Sequence, residues 1–344
     1  MSPEPAVVRL RGPADVLSSV PHLLGFHPSE SLVIMCLSGP RRRQRLIMRV
    51  DLPEAADEAL MAVELAERVA HGGADSVVII CYTTSPDAVG KLPGARLVEQ
   101  LAELLADRDI EVYDAYLARG TRWWSYVCTD SRCCPQAGTE LPGEMSSAAG
   151  ALAAEAVWSG SAAMPDRAAL VASIEPDPAA VAAASLAMLD EIDGGAEAQW
   201  STDASWSPAE VVELAGSLLT RYREGHPGLS GAQAARLRAG LRDVRVRDEI
   251  ATWGLDPAPE TLLSLLTDLV RACPDQDAAP ACTLLAWVAY LGGNGPLANV
   301  ALDRALDAEA DYSMALLLDD ALAAQLPPAA IRHITATAEP TRYW

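Results

Sequence analysis

Positive charge is scarce in this chain. Its 26 Lys+Arg against 47 Asp+Glu leave a formal charge of -21, and Lys91 is the only lysine in 344 residues. A surface biased this far repels phosphate backbones and anionic lipid headgroups, so nucleic acid is not an expected partner. The one basic cluster, Arg41, Arg42, Arg43, Arg45 and Arg49, lies between two strand-like runs with no aromatic residues interleaved, the pattern of a solvated hairpin tip. Long apolar runs are also missing: stretches such as Leu284–Leu291 fall far short of the ~20 residues needed to cross a bilayer, so no membrane association is expected. Met1–Arg11 has neither an apolar core nor a small-residue cleavage site, which predicts a cytoplasmic location. Seven cysteines in a reducing compartment do not make a disulfide framework. There is no Gly-rich phosphate loop, no G-x-S-x-G elbow and no H-E-x-x-H.

Half of the residues are apolar, enough at this length for two cores. Ala6–Leu10 reads as a short strand, followed by a helix with Pro13 in its first turn and Gly25 at its end. Ser31–Leu37 and Leu46–Leu52 read as a hairpin, and Pro53–Glu54 opens a helix that His71-Gly72-Gly73 stops. Ser76–Tyr82 is apolar without alternation, as expected of a strand covered on both faces at the centre of a sheet. A helix at about Gly94–Asp107 and a second hairpin, Glu111–Leu117 with Thr121–Cys128, complete an α/β domain with a mixed sheet and flanking helices over residues 1–140. Beyond Cys134-Pro135 strand-like runs vanish, and residues 141–344 read as an all-helical region. Its candidate helices include Ser146–Ser159 and a long one over Ala232–Trp253, and the Gly-, Ser- and Asp-rich residues 193–207 read as a flexible linker. Arg242, Asp243, Arg245, Arg247, Asp248 and Glu249 read as a solvated, salt-bridged helix face or as a seam against the N-terminal domain.

Three segments stand out: Pro21–Val33 (PHLLGFHPSESLV), Arg122–Pro135 (RWWSYVCTDSRCCP) and Trp287–Leu302 (WVAYLGGNGPLANVAL). Together they resemble an uncharacterised actinobacterial family, domain of unknown function 4192, over nearly the whole chain. That resemblance implies no activity. The third segment, within 282–310, also resembles a single degenerate tetratricopeptide repeat, with small residues at matching spacings but Ala289 at the aromatic position and Ala310 in place of the closing proline. One such unit is a plain helical hairpin unless stacked copies build a groove.

Cys128, Cys133 and Cys134 form the sharpest constellation, three soft ligands on one short loop. Three readings stand: free structural thiols, a metal site with zinc as the candidate cofactor, and a redox pair. A fourth zinc ligand would have to come from Asp130, His22, His27 or a partner, and Arg132 stands where it could lower a thiol pKa. Cys36, Cys81, Cys273 and Cys282 lie in apolar elements and read as core. His22, Phe26 and His27 surround a marked turn, while Arg122, Trp123 and Trp124 share a strand on which adjacent side chains alternate faces; these six are the ligand-binding candidates. Catalytic candidates are Asp51 and the hydroxyl-rich Thr83, Thr84, Ser85 and Asp87, at strand ends where open α/β sheets bind ligands or anions. The expected function is a regulatory or adaptor protein with a small-ligand or metal site on the α/β domain and a protein partner on the helices. A small-molecule enzyme and a structural scaffold are the alternatives.

Overall fold

The computed structural model describes residues 9–87, 91–141, 150, 163–193, 206–256 and 259–337. The chain forms two compact units, Pro5–Asp166 and Arg167–Trp344. The first holds a six-stranded mixed sheet with helices, and the second is helical throughout its described residues. The division falls later than the change in composition at residue 140, because Met164 pairs with the 25–27 turn of the first unit: Met164 N donates to Gly25 O at 2.7 Å and His27 N to Met164 O at 3.0 Å.

In the α/β unit, α1 (Pro13–Leu24) ends at Gly25, whose left-handed φ of 74° supplies the expected stop. The strands are β1 (Ser31–Ser38), β2 (Arg43–Asp51), β3 (Ser76–Tyr82), β4 (Glu111–Arg119), β5 (Arg122–Ser125) and β6 (Thr139–Glu140), in the order β2-β1-β3-β4-β5-β6. Among these six strands only β3 and β4 pair in parallel. α2 (Glu58–His71) and α3 (Ala95–Ala106) cross over one face and bury it: Leu65 and Val69 of α2 and Leu97, Leu101 and Leu105 of α3 join Leu32, Ile34, Val77, Ile79 and Leu117 in one cluster. On β1 and β3 the alternate residues Val33, Met35, Val78 and Ile80 are buried as well, so the centre of the sheet is covered on both sides, as its unbroken apolar runs predict.

Three expectations change. Leu10 and Arg9 are in no strand, and residues 6–8 lie outside the described ones. The two-residue β6 is too short for any periodic signal. The helix expected over Ala232–Trp253 is two helices, because Gly240 ends the first and the Asp243 carboxylate accepts Arg245 N at 2.9 Å to start the second.

The helical unit runs α4 (Arg167–Ala172), α5 (Pro178–Asp193), α6 (Pro208–Arg223), α7 (Gly231–Gly240), α8 (Val244–Trp253), α9 (Glu260–Arg271), α10 (Ala279–Leu291), α11 (Gly295–Ala308), α12 (Ser313–Ala323) and α13 (Pro328–Thr337). Most of the expected linker, and nearly all of the expected helix at 146–159, lie outside the described residues. Ser207, where the expected linker ends, opens α6 with a capping box to Glu210. α10 and α11 form the hairpin expected at 282–310. Apolar on every side, α10 is buried almost throughout and so forms the centre of this unit, not the wall of a groove. No described helix is long and apolar enough to cross a membrane.

Candidate thiol site

The hairpin β4–β5 delivers the cysteines to a loop tied down at both limbs. On the near limb, Tyr126 N donates to Ala115 O at 2.9 Å and Tyr126 Oη to Pro93 O at 2.5 Å, while Ser125 Oγ accepts from Val127 N and Cys128 N. On the far limb, Trp124 Nε1 donates to Gln136 O at 3.0 Å, and Arg122 Nη1 donates to Ala137 O and Gly138 O at 3.0 and 2.9 Å. Gly138, at φ 76°, passes so close to the Trp124 indole that a Cβ there would collide with it. Between the limbs, Asp130 O accepts both Cys133 N and Cys134 N, at 3.1 and 2.8 Å, which turns the chain back on itself.

That turn gathers the three sulfurs. Cys128 Sγ lies 3.1 Å from Cys133 Sγ, Cys133 Sγ lies 3.7 Å from Cys134 Sγ, and all three fall within 4.8 Å of one another. All three thiols are free. Cys133 is exposed, and Cys128 and Cys134 are partly so. A hydrogen bond from Cys133 lowers the Cys128 pKa, and the same bond raises that of Cys133; burial pushes Cys134 up to about 12. Arg132 plays no part in these shifts. Its guanidinium is paired with the Asp130 carboxylate at 2.7 Å. None of Asp130, His22 and His27 belongs to the sulfur group, so among the described residues the fourth ligand anticipated from them is not supplied.

The remaining candidates are dispersed. Phe26 is buried, His27 is exposed, and burial followed by the neighbouring His27 charge lowers the His22 pKa. Trp123 and Trp124 do face opposite ways. Trp123 is buried edge-on against Tyr116, with centroids 5.4 Å apart, and Trp124 packs on the α2/α3 face under the Arg119 guanidinium. At the strand ends, the hydroxyl-rich loop after β3 already holds an anion, the chain's own Glu30. Its carboxylate accepts from Thr83 Oγ1 (2.7 Å), Thr84 N (2.7 Å) and Thr84 Oγ1 (2.8 Å), and these bonds, Thr84 N–H foremost, lower its pKa. Ser85 and Asp87 are held by Arg119, and Asp51 is exposed beside Arg49. Sequence reasoning passed over Glu30, Arg119 and Tyr126, although Glu30 and Tyr126 stand within the distinctive segments Pro21–Val33 and Arg122–Pro135.

One further group lies on the sheet face opposite α2 and α3. The register places Asp51, Ser31, Tyr82, Ala118 and Trp123 in a single cross-strand row. Ser31 Oγ, Tyr82 Oη and Trp123 Nε1 are buried there without a hydrogen-bond partner. In the helical unit, a cavity of about 210 Å³ is lined by Asp177, Ser230, Asp268 and Arg271 among others.

A family model covers nearly all of this architecture, from residue 13 to residue 329. The chain belongs to the family described as Domain of unknown function (DUF4192). No curated protein and no solved structure matches it. The family's description carries no activity.

Proposed function

We propose that this is a cytoplasmic regulatory protein whose α/β unit holds a thiophilic metal ion, zinc in the first instance, on Cys128, Cys133 and Cys134, and whose helical unit docks a protein. The observation that carries the metal reading is the convergence of the three sulfurs within 4.8 Å on an anchored, accessible loop. Zn–S bonds of about 2.3 Å set the ligand sulfurs about 3.8 Å apart in a tetrahedron. Cys133 and Cys134, at 3.7 Å, already have that spacing, and the 3.1 Å pair opens by a side-chain rotation. Three protein ligands leave the fourth position to water, a small molecule or a partner, as suits a site that reports on its surroundings. The docking role is supported by apolar side chains left exposed on the helical unit, Leu186 and Leu189 on α5 and Leu316 and Leu317 on α12.

Metal analysis of full-length protein purified without a histidine tag under reducing conditions tests the metal reading. We expect one zinc per chain, lost in Cys133→Ser. Sub-stoichiometric metal together with three freely alkylated thiols overturns it.

A second reading, a small-molecule site on the α/β unit, is favoured by the buried row Ser31, Tyr82 and Trp123. Buried polar groups without partners are rare in folded proteins. Trp123 Nε1 can only donate, so the ligand has to offer acceptors, as a carboxylate does. A thermal-shift screen of small carboxylates should find one that stabilises the wild type but not Tyr82→Phe. Equal responses of the two proteins to every compound would remove this reading.

A further inference from the structure

Cys128 and Cys133 are also placed for a chemistry that metal binding does not use. Their sulfurs are 3.1 Å apart, only about 1 Å beyond the ~2.05 Å of a disulfide bond. The backbone turn that brings them together is already formed by the two hydrogen bonds to Asp130 O, so closure needs side-chain rotation and not refolding of the loop. Cys134 is the poorer partner for Cys133. It lies farther away, at 3.7 Å, and a bond between chain neighbours closes a small ring around their shared peptide unit. An oxidant meets an exposed Cys133 and a partly exposed Cys128, whereas Cys36, Cys81, Cys273 and Cys282 are all buried.

We propose that Cys128 and Cys133 are the oxidation site of this protein, a dithiol that a hydroperoxide converts into an intramolecular disulfide. In the first step a thiolate sulfur attacks one peroxide oxygen; the O–O bond breaks, the sulfur becomes a sulfenic acid, and the departing oxygen takes up a proton as water or alcohol. In the second step the other sulfur attacks the sulfenic sulfur; the S–O bond breaks, the S–S bond forms, and the hydroxide leaves with the thiol proton as water. Two electrons pass from the two sulfurs to the peroxide, and a dithiol reductant reverses the change. Disulfide formation stands independently of the metal. Its consequence, withdrawal of two of the three ligands and release of the ion, rests on the metal reading above.

Arg132 lies between the two cysteines, so trypsin separates them into peptides that only a disulfide can keep joined. Reduced full-length protein, stripped with a chelator and desalted, is treated with one equivalent of hydrogen peroxide, blocked with an alkylating agent and mapped without reduction. The expected product is a monomer in which the Trp123–Arg132 peptide is joined to the peptide that begins at Cys133, with Cys134 alkylated. Cys134→Ser should give the same link, and Cys128→Ser should lose it by at least tenfold. A Cys133–Cys134 link, an interchain link, or oxidation without any link overturns the proposal. In a second arm, zinc-loaded protein receives peroxide in the presence of a chromogenic chelator. Zinc release in step with the link, reversed by dithiothreitol, supports the coupling. Retention of zinc after the link has formed overturns the coupling. If the link forms in a chain that never retains zinc, the metal reading fails and the oxidation site stands.

Discussion

In the helical unit Arg304 turns inward and donates to the carbonyl oxygens of Ile174, Val270 and Cys273, and Arg332 does the same for Leu255 and Leu291. These oxygens belong to helix ends whose last carbonyls have no partner within their own helix, and a cationic fork satisfies several of them at once. In the α/β unit, by contrast, Arg119 and Arg122 donate to loop carbonyls at Ser85, Ala137 and Gly138, and so hold irregular chain in place. Cysteine divides in a different way, by position and not by unit. Cys282 is buried in a helix, Cys273 just beyond the end of one, and Cys36 and Cys81 in strands, each with its pKa raised by burial to about 11 or about 12. The other three are gathered on the anchored loop. Where polar groups close the fold's own valences the structure leaves no chemistry to spare. Where they hold a loop, they present it.

The sharpest way to break this comparison is thiol reactivity. At pH 8 native protein should alkylate at Cys128 and Cys133 about a thousandfold faster than at the four buried cysteines, because burial suppresses both access and thiolate, with the partly buried Cys134, whose pKa burial also raises, between the two groups. Mass spectrometry of partially labelled protein reads this directly, and comparable labelling of Cys273 or Cys282 would erase the distinction. Next in size, Leu101→Ala in the α2/α3 core should cost about 3 kcal/mol in denaturant unfolding, the usual scale for a fully buried leucine. Arg304→Met should cost about 2 kcal/mol by stranding the Ile174 and Cys273 carbonyls, Val270 O keeping its bond from Cys273 N, and Lys at this position should not restore it, since an ammonium cannot span the same acceptors. A neutral effect would mean that these ends are satisfied by solvent.

The smallest expected effect is at Glu30. Its exposure reduces the value of its three hydrogen bonds, so Glu30→Gln should lose about 1 kcal/mol at pH 7. Because its folded pKa lies below the ordinary carboxylate value, this contribution is complete above the unfolded pKa and is lost as the pH falls through the folded one. Stability curves of wild type and variant should therefore converge in acid. Parallel curves would show that the carboxylate charge is not what the loop binds.

Much of the fold was legible where the signal is local. The unbroken run Val77–Cys81 marked a buried central strand, Gly25 marked the end of a helix, and the two hairpins followed from their turns. The break between Gly240 and Asp243 was legible as well, since Gly then Asp is a stop followed by a cap, but the apolar spacing on either side masked it. Clustering of the thiols could be read from their spacing. Their missing fourth ligand could not, and neither could the occupation of Thr83 and Thr84 by a carboxylate more than fifty residues away.

By itself the sequence determined the kind of elements, the two-part organisation and the loop that carries the three cysteines, because helix period, strand period and turn chemistry act over a few residues. Only the tertiary structure decided that β1 lies between β2 and β3, that Arg122 and Trp124 anchor the thiol loop, and that Arg132 is paired with Asp130. Those outcomes depend on which distant groups meet. Cross-strand register and hydrogen-bond competition settle them, and neither is written in the local pattern.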